Sequence, residues 1–396
     1  MNEPKKVQIY PFIETLHGIQ KTLVTHPPEG YVFIGAPRSS FSKVVARSTH
    51  SKLIRFLYHQ FLKVFKTTKI IDAAQKAPIL EEADLVYGGI HNNISKPWVA
   101  YLFDHPTCIS GNNYDLFIKN KPKIEQAFLA DQCKKILVAN EAHIEFMKQV
   151  FSQGVLDKVE IVRPAYEAVD FKRTYKKKKV KIIFMGSINI PQDVYIKGGR
   201  EVIKVFKILS KRNDVELVMR CIVPEELKPQ LKEIKNLTLL EDTLPFSEIL
   251  DLYKTADIVF MPGHNYSVST FIESMAFSLP IVAMNTYSVE DFVKDKYTGI
   301  IVKRSDKVKG YTNKAYPTYI RSDEFMNDIK TYEDPELIKR LVKALEKLID
   351  NPSLRKELSE NARKEFLEKY TIEVRNSQIK KVFDEILFLD HTRKDA

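Results

Sequence analysis

The sequence has little of what would mark an exported, metal-rich or repetitive protein. Only three of its 396 residues are cysteines, Cys108, Cys133 and Cys221, and their spacing matches neither a disulfide framework nor a metal site. Thirteen glycines without a period exclude low-complexity classes. The N-terminal residues lack the apolar core of a signal peptide, and no run approaches the ~18 apolar residues of a membrane span. We therefore expect a cytoplasmic protein, neither exported nor membrane-integral.

Acidic residues are missing from one long stretch of the chain. Between Gly30 and Ile71 there is no Asp or Glu, whereas eight Lys and Arg residues fall between Arg38 and Lys69. A second basic block spans Arg173–Lys181, and the two stretches together carry more positive charge than the net +11. Such local charge indicates a polyanionic partner, which is an anionic membrane surface, a nucleic acid or a phosphorylated substrate.

The segment Ser51–Phe65 reads as a basic amphipathic helix. Its apolar residues form one helical stripe, and Lys52, Arg55 and Lys63 flank that stripe. Basic, aromatic-rich helices suit the interface of an anionic membrane, where each Lys or Arg contributes roughly 1 kcal/mol. The alternative is a helix that packs on its own sheet and turns a basic side to solvent. We predict a peripheral location at the inner face of the membrane through Arg38–Lys69, with that alternative open.

Short apolar strands alternate with amphipathic helices, which predicts parallel α/β sheets. The alternation restarts with the strand VKIIFM after the second basic block, as expected for two tandem Rossmann-like domains. From Asp334 onward the chain is predicted to be helical, with Asp334 as a cap and Pro335 at the first helical position. The segment Ser305–Glu333 has no clear period and is predicted to be an inserted loop or lid. The predicted domains are 1–172, 173–370, and a last helix, 371–396, that returns to the first domain.

The segment Asp257–Val302 carries the strongest chemical signal. A strand ends at Pro262, a small polar loop follows, and a helix is predicted to begin between Ser267 and Thr270. A helix start at the carboxyl edge of a parallel sheet binds phosphate through its free backbone N–H groups. Glu273 lies one turn further, where a carboxylate can accept hydrogen bonds from ribose hydroxyls. The alternative is an ordinary capped helix that carries Glu273 as a solvated charge.

This segment resembles the donor-site signature of the retaining nucleotide-sugar glycosyltransferases of family 4, which have the GT-B fold. The matching positions, in chain order, are Pro262–Gly263, Glu273, Met275–Ala276, Leu279–Pro280 and Thr298–Gly299. The resemblance covers the donor half from Val180 to Val302 and extends into the C-terminal helices, while the first half matches only in outline. It implies an α/β protein of GT-B type, in which two Rossmann-like domains face an interdomain cleft.

The resemblance implies roles for individual residues of the donor half. Lys197, in a Lys-Gly pair, is implied to contact the donor diphosphate and to stabilise charge on the leaving phosphate; the alternative is a surface lysine beside a helix start. Leu244 is implied to hold the nucleotide base through main-chain groups, or else it is a buried loop anchor. The other donor-site positions are Gly186, Ser187, Asn265, Ser267, Val268, Ser269, Thr270 and Glu273.

Two positions depart from the family pattern. Asn265 stands where the family usually has a first glutamate, and it carries no charge. Ser187 stands where the family often has an arginine. Arg200 and Arg220 are candidates to supply the missing positive charge. Both departures motivate an alternative function, a catalytically degenerate GT-B binding or scaffold subunit.

In the first half, His105 follows the strand WVAYLF and resembles the family's interdomain histidine. The resemblance implies a catalytic role facing the donor sugar and the acceptor; a structural histidine is an equally weighted alternative. His17 and Gly18 stand in the place of the family's glycine-rich loop and are candidates for the acceptor side.

The resemblance implies a metal-independent retaining glycosyltransferase. It would move a hexose from a UDP- or GDP-sugar to an acceptor hydroxyl on a glycan or a lipid-linked acceptor. No cofactor is expected beyond the nucleotide-sugar co-substrate. A nucleic-acid-associated protein ranks last, because no recognition module for nucleic acid is visible.

Overall fold

The chain folds into two compact units. The computed structural model describes residues 3–10, 12–13, 16, 18–36, 78–91, 94–103, 105–110, 113–175, 179–188, 190–311 and 322–394, with side chains described to residue 387. The first unit comprises Met1–Ala139, His143–Arg163 and Arg375–Ala396, and the second comprises Asn140–Ala142 and Pro164–Val374. The basic stretch Arg38–Lys69, with its predicted amphipathic helix, lies outside the described residues.

The first unit is built on a six-stranded parallel sheet. Its strands are β1 (Lys5–Ile9), β2 (Tyr31–Gly35), β3 (Leu85–Tyr87), β4 (Trp98–Leu102), β5 (Cys133–Val138) and β6 (Val159–Ile161), in the order β2-β1-β3-β4-β5-β6. Its helices are α1 (Gly18–Thr25), α2 (Tyr114–Leu129), α3 (Glu141–Val150) and α4 (Gln153–Leu156), together with a 3₁₀ turn at Pro106–Ser110. Apolar runs buried on both faces are typical of parallel strands, and Val7, Val99 and Leu137 are fully buried.

The second unit repeats this architecture. Its sheet has the order β12-β11-β10-β7-β8-β9, with β7 (Val180–Met185), β8 (Val215–Arg220), β9 (Leu237–Leu240), β10 (Ile258–Met261), β11 (Ile281–Met284) and β12 (Gly299–Val302). Its helices are α5 (Asp193–Ile196), α6 (Gly199–Leu209), α7 (Lys228–Leu231), α8 (Phe246–Thr255), α9 (Val268–Ala276), α10 (Val289–Phe292), α11 (Asp323–Thr331), α12 (Pro335–Asp350) and α13 (Pro352–Lys369).

The last helix, α14 (Ile372–Lys394), starts in the second unit and continues into the first. Within the first unit, Phe383 packs into the same buried cluster as Val7 and Val99. Arg375 donates to Thr22 Oγ1 at 2.5 Å. Buried apolar side chains therefore attach this helix to the first sheet, and the Arg375 guanidinium attaches it to α1.

The strands predicted at WVAYLF and VKIIFM are present as β4 and β7, and the predicted start of α12 is confirmed. Asp334 Oδ1 accepts a hydrogen bond from the Leu337 N–H at 3.0 Å, with Pro335 in the first turn. The prediction of a loop at Ser305–Glu333 was wrong in part, because α11 lies within it. Its buried apolar residues include Phe325 and Ile329, too few to reveal a helical period in the sequence.

Two cations of the second basic block, Arg173 and Lys181, have hydrogen-bond or ion-pair partners within the second unit. The Arg173 guanidinium donates to the backbone carbonyls of Tyr253, Ala256 and Phe277. Burial lowers the pKa of Arg173 to about 10. Lys181 pairs with Glu216 at 2.8 Å. These two cations therefore have internal partners, and residues 176–178 lie outside the described part.

No described helix has both the length and the apolar character needed to cross a bilayer.

Candidate functional site

Two loops meet at the carboxyl edge of the second sheet. The loop after β10 begins at Pro262, and the Lys197–Gly198 pair separates α5 from α6. Gly198 has φ +81°, and a Cβ at this position would lie 2.0 Å from the carbonyl oxygen of Pro262. The His264 N–H donates to the carbonyl of Ile196 at 2.8 Å. Only glycine allows this approach, so the glycine of the Lys-Gly pair is needed for the contact between the loops.

Lys197 reaches across this contact to the start of α9. Its Nζ lies 2.8 Å from Ser267 Oγ and 3.5 Å from the carbonyl oxygen of Tyr266. Ser267 stands at the N-cap position of α9, but its side chain makes no capping hydrogen bond. Its hydroxyl instead accepts from Lys197. The N-terminus of α9 therefore has a lysine and a serine hydroxyl beside it. The first backbone N–H groups of the helix belong to Val268, Ser269 and Thr270.

Glu273 lies on α9 and is held by a residue that the sequence reasoning missed. The Tyr253 hydroxyl donates to Glu273 Oε2 at 2.7 Å. Tyr253 is buried and stacks on Phe277, with ring centroids 5.7 Å apart. Burial raises the pKa of Glu273 to about 7, although the Tyr253 hydrogen bond and the charge of Arg220 oppose the shift. This is not the solvated surface carboxylate of the alternative interpretation.

The two candidates for a replacement cation differ in their partners. The Arg200 guanidinium donates to the carbonyls of Ile329 and Tyr332 and to Glu333 at 2.7 Å, which makes it a structural residue. Arg220 ends β8, the strand beside β7, and its charge acts on Glu273. Its buried Nε has no hydrogen-bond partner in the described part of the chain. Arg220 is therefore the better candidate.

The remaining donor-site positions lie around the same sheet edge. Gly186 follows β7, and a Cβ there would lie 2.6 Å from the Cβ of Cys221. The Ser187 carbonyl accepts from the Ile222 N–H at 3.0 Å. Asn265 is partly buried, and its Oδ1 has no hydrogen-bond partner among the described residues. Leu244 is half-buried in the loop before α8.

The candidates from the first half belong to the first unit. His105 is fully buried, its Nδ1 lies 2.7 Å from Thr107 Oγ1, and its ring packs on Phe146 with centroids 4.3 Å apart. Burial, followed by the neighbouring His143, holds the pKa of His105 well below its usual range. These contacts favour the structural alternative, and the catalytic role stays a prediction. Gly18 begins α1 with φ +31° and open space around it. His17 lies outside the described residues.

Metal-binding geometry is not found where the structure describes the chain. No group of three or more His, Cys, Asp or Glu side chains among those residues is arranged to hold a metal ion. Lys197 lies in the loop between α5 and α6, and Arg220, the candidate cation, lies at the end of β8.

Comparison with known proteins gives one family model that matches part of the chain. Residues 166–316 match the family model of glycosyl transferases group 1. No curated protein sequence matches the chain. The matched segment contains both loops of this sheet edge, from Lys197 to Asn265, and the whole of α9.

Solved structures resemble nearly the whole chain. A glycosyltransferase from Rickettsia africae shares 12% identity at a TM-score of 0.58, covering 98% of this chain and 99% of its own. HepE of Anabaena, in complex with UDP-glucose, shares 13% identity at a TM-score of 0.56, covering 96% and 99%. WaaG, a glycosyltransferase involved in lipopolysaccharide biosynthesis, shares 13% identity at 0.55, covering 95% and 99%. The chain therefore has the GT-B glycosyltransferase fold, as its sequence predicts.

Proposed function

We propose that this chain is a retaining glycosyltransferase that moves a hexose from a UDP- or GDP-sugar to an acceptor hydroxyl. The observation that carries the proposal is the 2.8 Å contact between Lys197 Nζ and Ser267 Oγ at the start of α9. It puts a cation and a hydroxyl beside a helix N-terminus, an arrangement that binds a diphosphate. The match to glycosyl transferases group 1, and the likeness to a structure containing UDP-glucose, support a nucleotide-sugar donor.

In this proposal the donor diphosphate rests on Lys197 and on the first N–H groups of α9. As the bond to the sugar breaks, negative charge grows on the leaving diphosphate, and the lysine stabilises it where it develops. Glu273 accepts hydrogen bonds from the ribose, and the loop at Leu244 holds the base. Asn265 reaches a sugar hydroxyl through its amide. In the proposal the reaction needs no metal and no cofactor, and His17 and Gly18 lie on the acceptor side. A catalytic His105 on the reacting-sugar side stays a prediction, since its contacts favour a structural role.

The decisive test is release of free nucleotide from a panel of UDP- and GDP-sugars. Lys197→Ala is expected to lower the rate about a hundredfold or more, because it removes the cation at the leaving diphosphate. Lys204→Ala is the matched control, since Lys204 lies on α6 and pairs with Glu333 instead. A chelator is expected to leave the rate unchanged, and NMR of the product is expected to show the anomeric configuration of the donor. Absence of turnover, with no thermal stabilisation by UDP or GDP, refutes the proposal.

We further propose a lipid-linked or membrane glycan as the acceptor, reached at the inner membrane face through Arg38–Lys69. The acid-free composition of that stretch supports it. WaaG, one of the structural relatives, is described as acting in lipopolysaccharide biosynthesis. Flotation with anionic vesicles, and not with zwitterionic ones, is expected at low salt, with partial loss at high salt. Equal binding to duplex DNA, lost completely at high salt, would favour the nucleic-acid alternative.

A degenerate binding subunit is the second candidate, because Asn265 replaces a carboxylate in the donor loop. It predicts that UDP or GDP binds and stabilises the protein while every nucleotide sugar remains intact. Under that outcome Lys197→Ala weakens nucleotide binding but leaves the biological output unchanged.

A further inference from the structure

We propose that Glu201 and His264 are positioning residues for the diphosphate end of the donor site. They form a buried pair behind the Lys197–Gly198 loop and the loop that begins at Pro262, here called the donor loops. The pair holds Lys197 in register with Ser267. This inference rests on the proposed function, since it concerns the same diphosphate site. Neither residue belongs to the donor-site positions that the sequence resemblance names.

Each member of the pair is attached to one of the two loops that touch. Glu201 lies in the first turn of α6, three residues after Gly198. His264 directly follows Gly263, and its own N–H binds the carbonyl of Ile196 at 2.8 Å. A displacement of either side chain is therefore transmitted through only a few backbone bonds to the loop that carries it.

The two side chains face each other away from solvent. His264 Nε2 lies 3.6 Å from Glu201 Oε2, and the side chains are 2% and 4% exposed. This separation is longer than a hydrogen bond but within the range of an ion pair. Neither of these atoms has a hydrogen-bond partner in the part of the chain that the structure describes. The contact between Nε2 and Oε2 is therefore the polar contact that these two atoms make among the described residues.

Aromatic residues of the segment after β12 enclose the pair. The hydroxyl of Tyr311 lies 2.8 Å from His264 Nδ1, and that of Tyr332 donates to Glu201 Oε1 at 2.5 Å. Burial alone raises the pKa of Glu201, but His264 and the Tyr332 hydroxyl outweigh it and lower the pKa. Phe325 contacts the imidazole edge-to-face. The cluster therefore holds a buried carboxylate, which is costly once its partner is removed.

Charged residues outside the cluster do not replace His264. Arg200 lies over the Tyr332 ring and pairs with Glu333. Arg304 lies over the Tyr311 ring, 4.6 Å from its centroid. Among the described residues, His264 alone lies within ion-pair distance of Glu201. If either partner is lost, we expect a donor loop to move so that the remaining polar group reaches another partner. The loop moves because the helices and the sheet behind it are closely packed.

The test compares the affinities of UDP and UMP by calorimetry in His264→Gln, Glu201→Gln and the double variant. A positioning role predicts that UDP binding weakens about tenfold while UMP binding changes less than twofold, because the loss concerns the second phosphate. The double variant is expected to lose no more than either single one, since both changes break the same pair. GDP and GMP replace these probes if the wild type prefers guanine.

The matched control is Glu365→Gln, another buried carboxylate of the second unit, 4% exposed and paired with Lys294 and Lys369. It is expected to leave the UDP-to-UMP ratio unchanged. If the main variants do not fold, Tyr311→Phe and Tyr332→Phe remove one hydroxyl each and are expected to shift the ratio in the same direction. Three results overturn the inference but not the proposed function: UDP and UMP binding weaken equally, the losses of the two single variants add in the double variant, or the UDP-to-UMP affinity ratio does not change. Failure of the wild type to bind either nucleotide overturns the proposed function as well.

Discussion

The raised pKa of Glu273 makes nucleotide binding depend on pH in a way that can be calculated. Ribose hydroxyls donate hydrogen bonds, so they bind best to the carboxylate form. Burial raises the pKa of this group to about 7 in the free protein. Binding must therefore release a proton over the pH range in which the carboxyl is protonated. Affinity is expected to be lost as the pH falls through 7 and to be retained above it.

The magnitude follows from the fraction of carboxylate. With a pKa of about 7 in the free protein, about one molecule in eleven carries the carboxylate at pH 6, against nine in ten at pH 8. If bound ribose returns the pKa to the ordinary value of 4.5, the dissociation constant rises about tenfold between pH 8 and pH 6. That change corresponds to ~1.4 kcal/mol.

Calorimetric titration of UDP from pH 5.5 to 8.5 measures this dependence. A nucleotide phosphate also titrates near pH ~6, so the quantity of interest is the ratio of dissociation constants between Glu273→Gln and the wild type. Glutamine keeps the size of the side chain and does not ionise. Tyr253→Phe removes a hydrogen bond that lowers the pKa of Glu273, and it is expected to move the midpoint to higher pH. Identical pH profiles for the wild type and Glu273→Gln would refute the reasoning.

Three further changes test the structure. Gly198→Ala combines a positive φ with a clash against the carbonyl oxygen of Pro262, and it is expected to lower the free energy of unfolding in urea by about 2–4 kcal/mol. The control is Gly30→Ala, at φ +84° in open space, which is expected to cost about 1 kcal/mol. Equal effects would contradict the contact between the loops. Arg173→Met leaves the carbonyl of Tyr253 in α8, and that of Phe277 at the C-cap of α9, without their donor. It is expected to cost about 2–4 kcal/mol, and unchanged thermal stability would contradict this. His105→Ala is expected to cost about 2–4 kcal/mol and leave the affinity for UDP within about twofold, while a selective loss of turnover would support the catalytic role.

Much of the fold could be predicted because it depends on local patterns. Buried parallel strands are short apolar runs, and their alternation with helices is visible without any tertiary contact. The start of α12 was equally predictable, since Asp334 and Pro335 act on the backbone beside them. Helix α11 was missed because its apolar residues are few and find their burial against distant elements.

The candidate site was predictable in position but not in its contacts. The resemblance named Lys197 and Glu273, and the structure gives each a partner, Ser267 and Tyr253. Tyr253 and Glu273 are 20 positions apart, and their separation in space depends on how α8 and α9 pack. The Thr298–Gly299 motif has a structural role here. Thr298 Oγ1 binds the Lys294 N–H at 2.9 Å, and a Cβ on Gly299 would lie 2.1 Å from the carbonyl oxygen of Ile281.

The sequence by itself determined the α/β class, the strands and the donor-loop motifs, because these rest on periodicity, capping and the spacing of a few residue types. Tertiary structure alone decided which charged side chains have partners within the protein and which can contact a ligand. It buried Arg173 beneath backbone carbonyls and engaged Arg200 with Glu333. It also set Glu201 against His264, at 3.6 Å and across 63 residues of chain. Electrostatic roles depend on distance and burial, and neither quantity is local in the sequence.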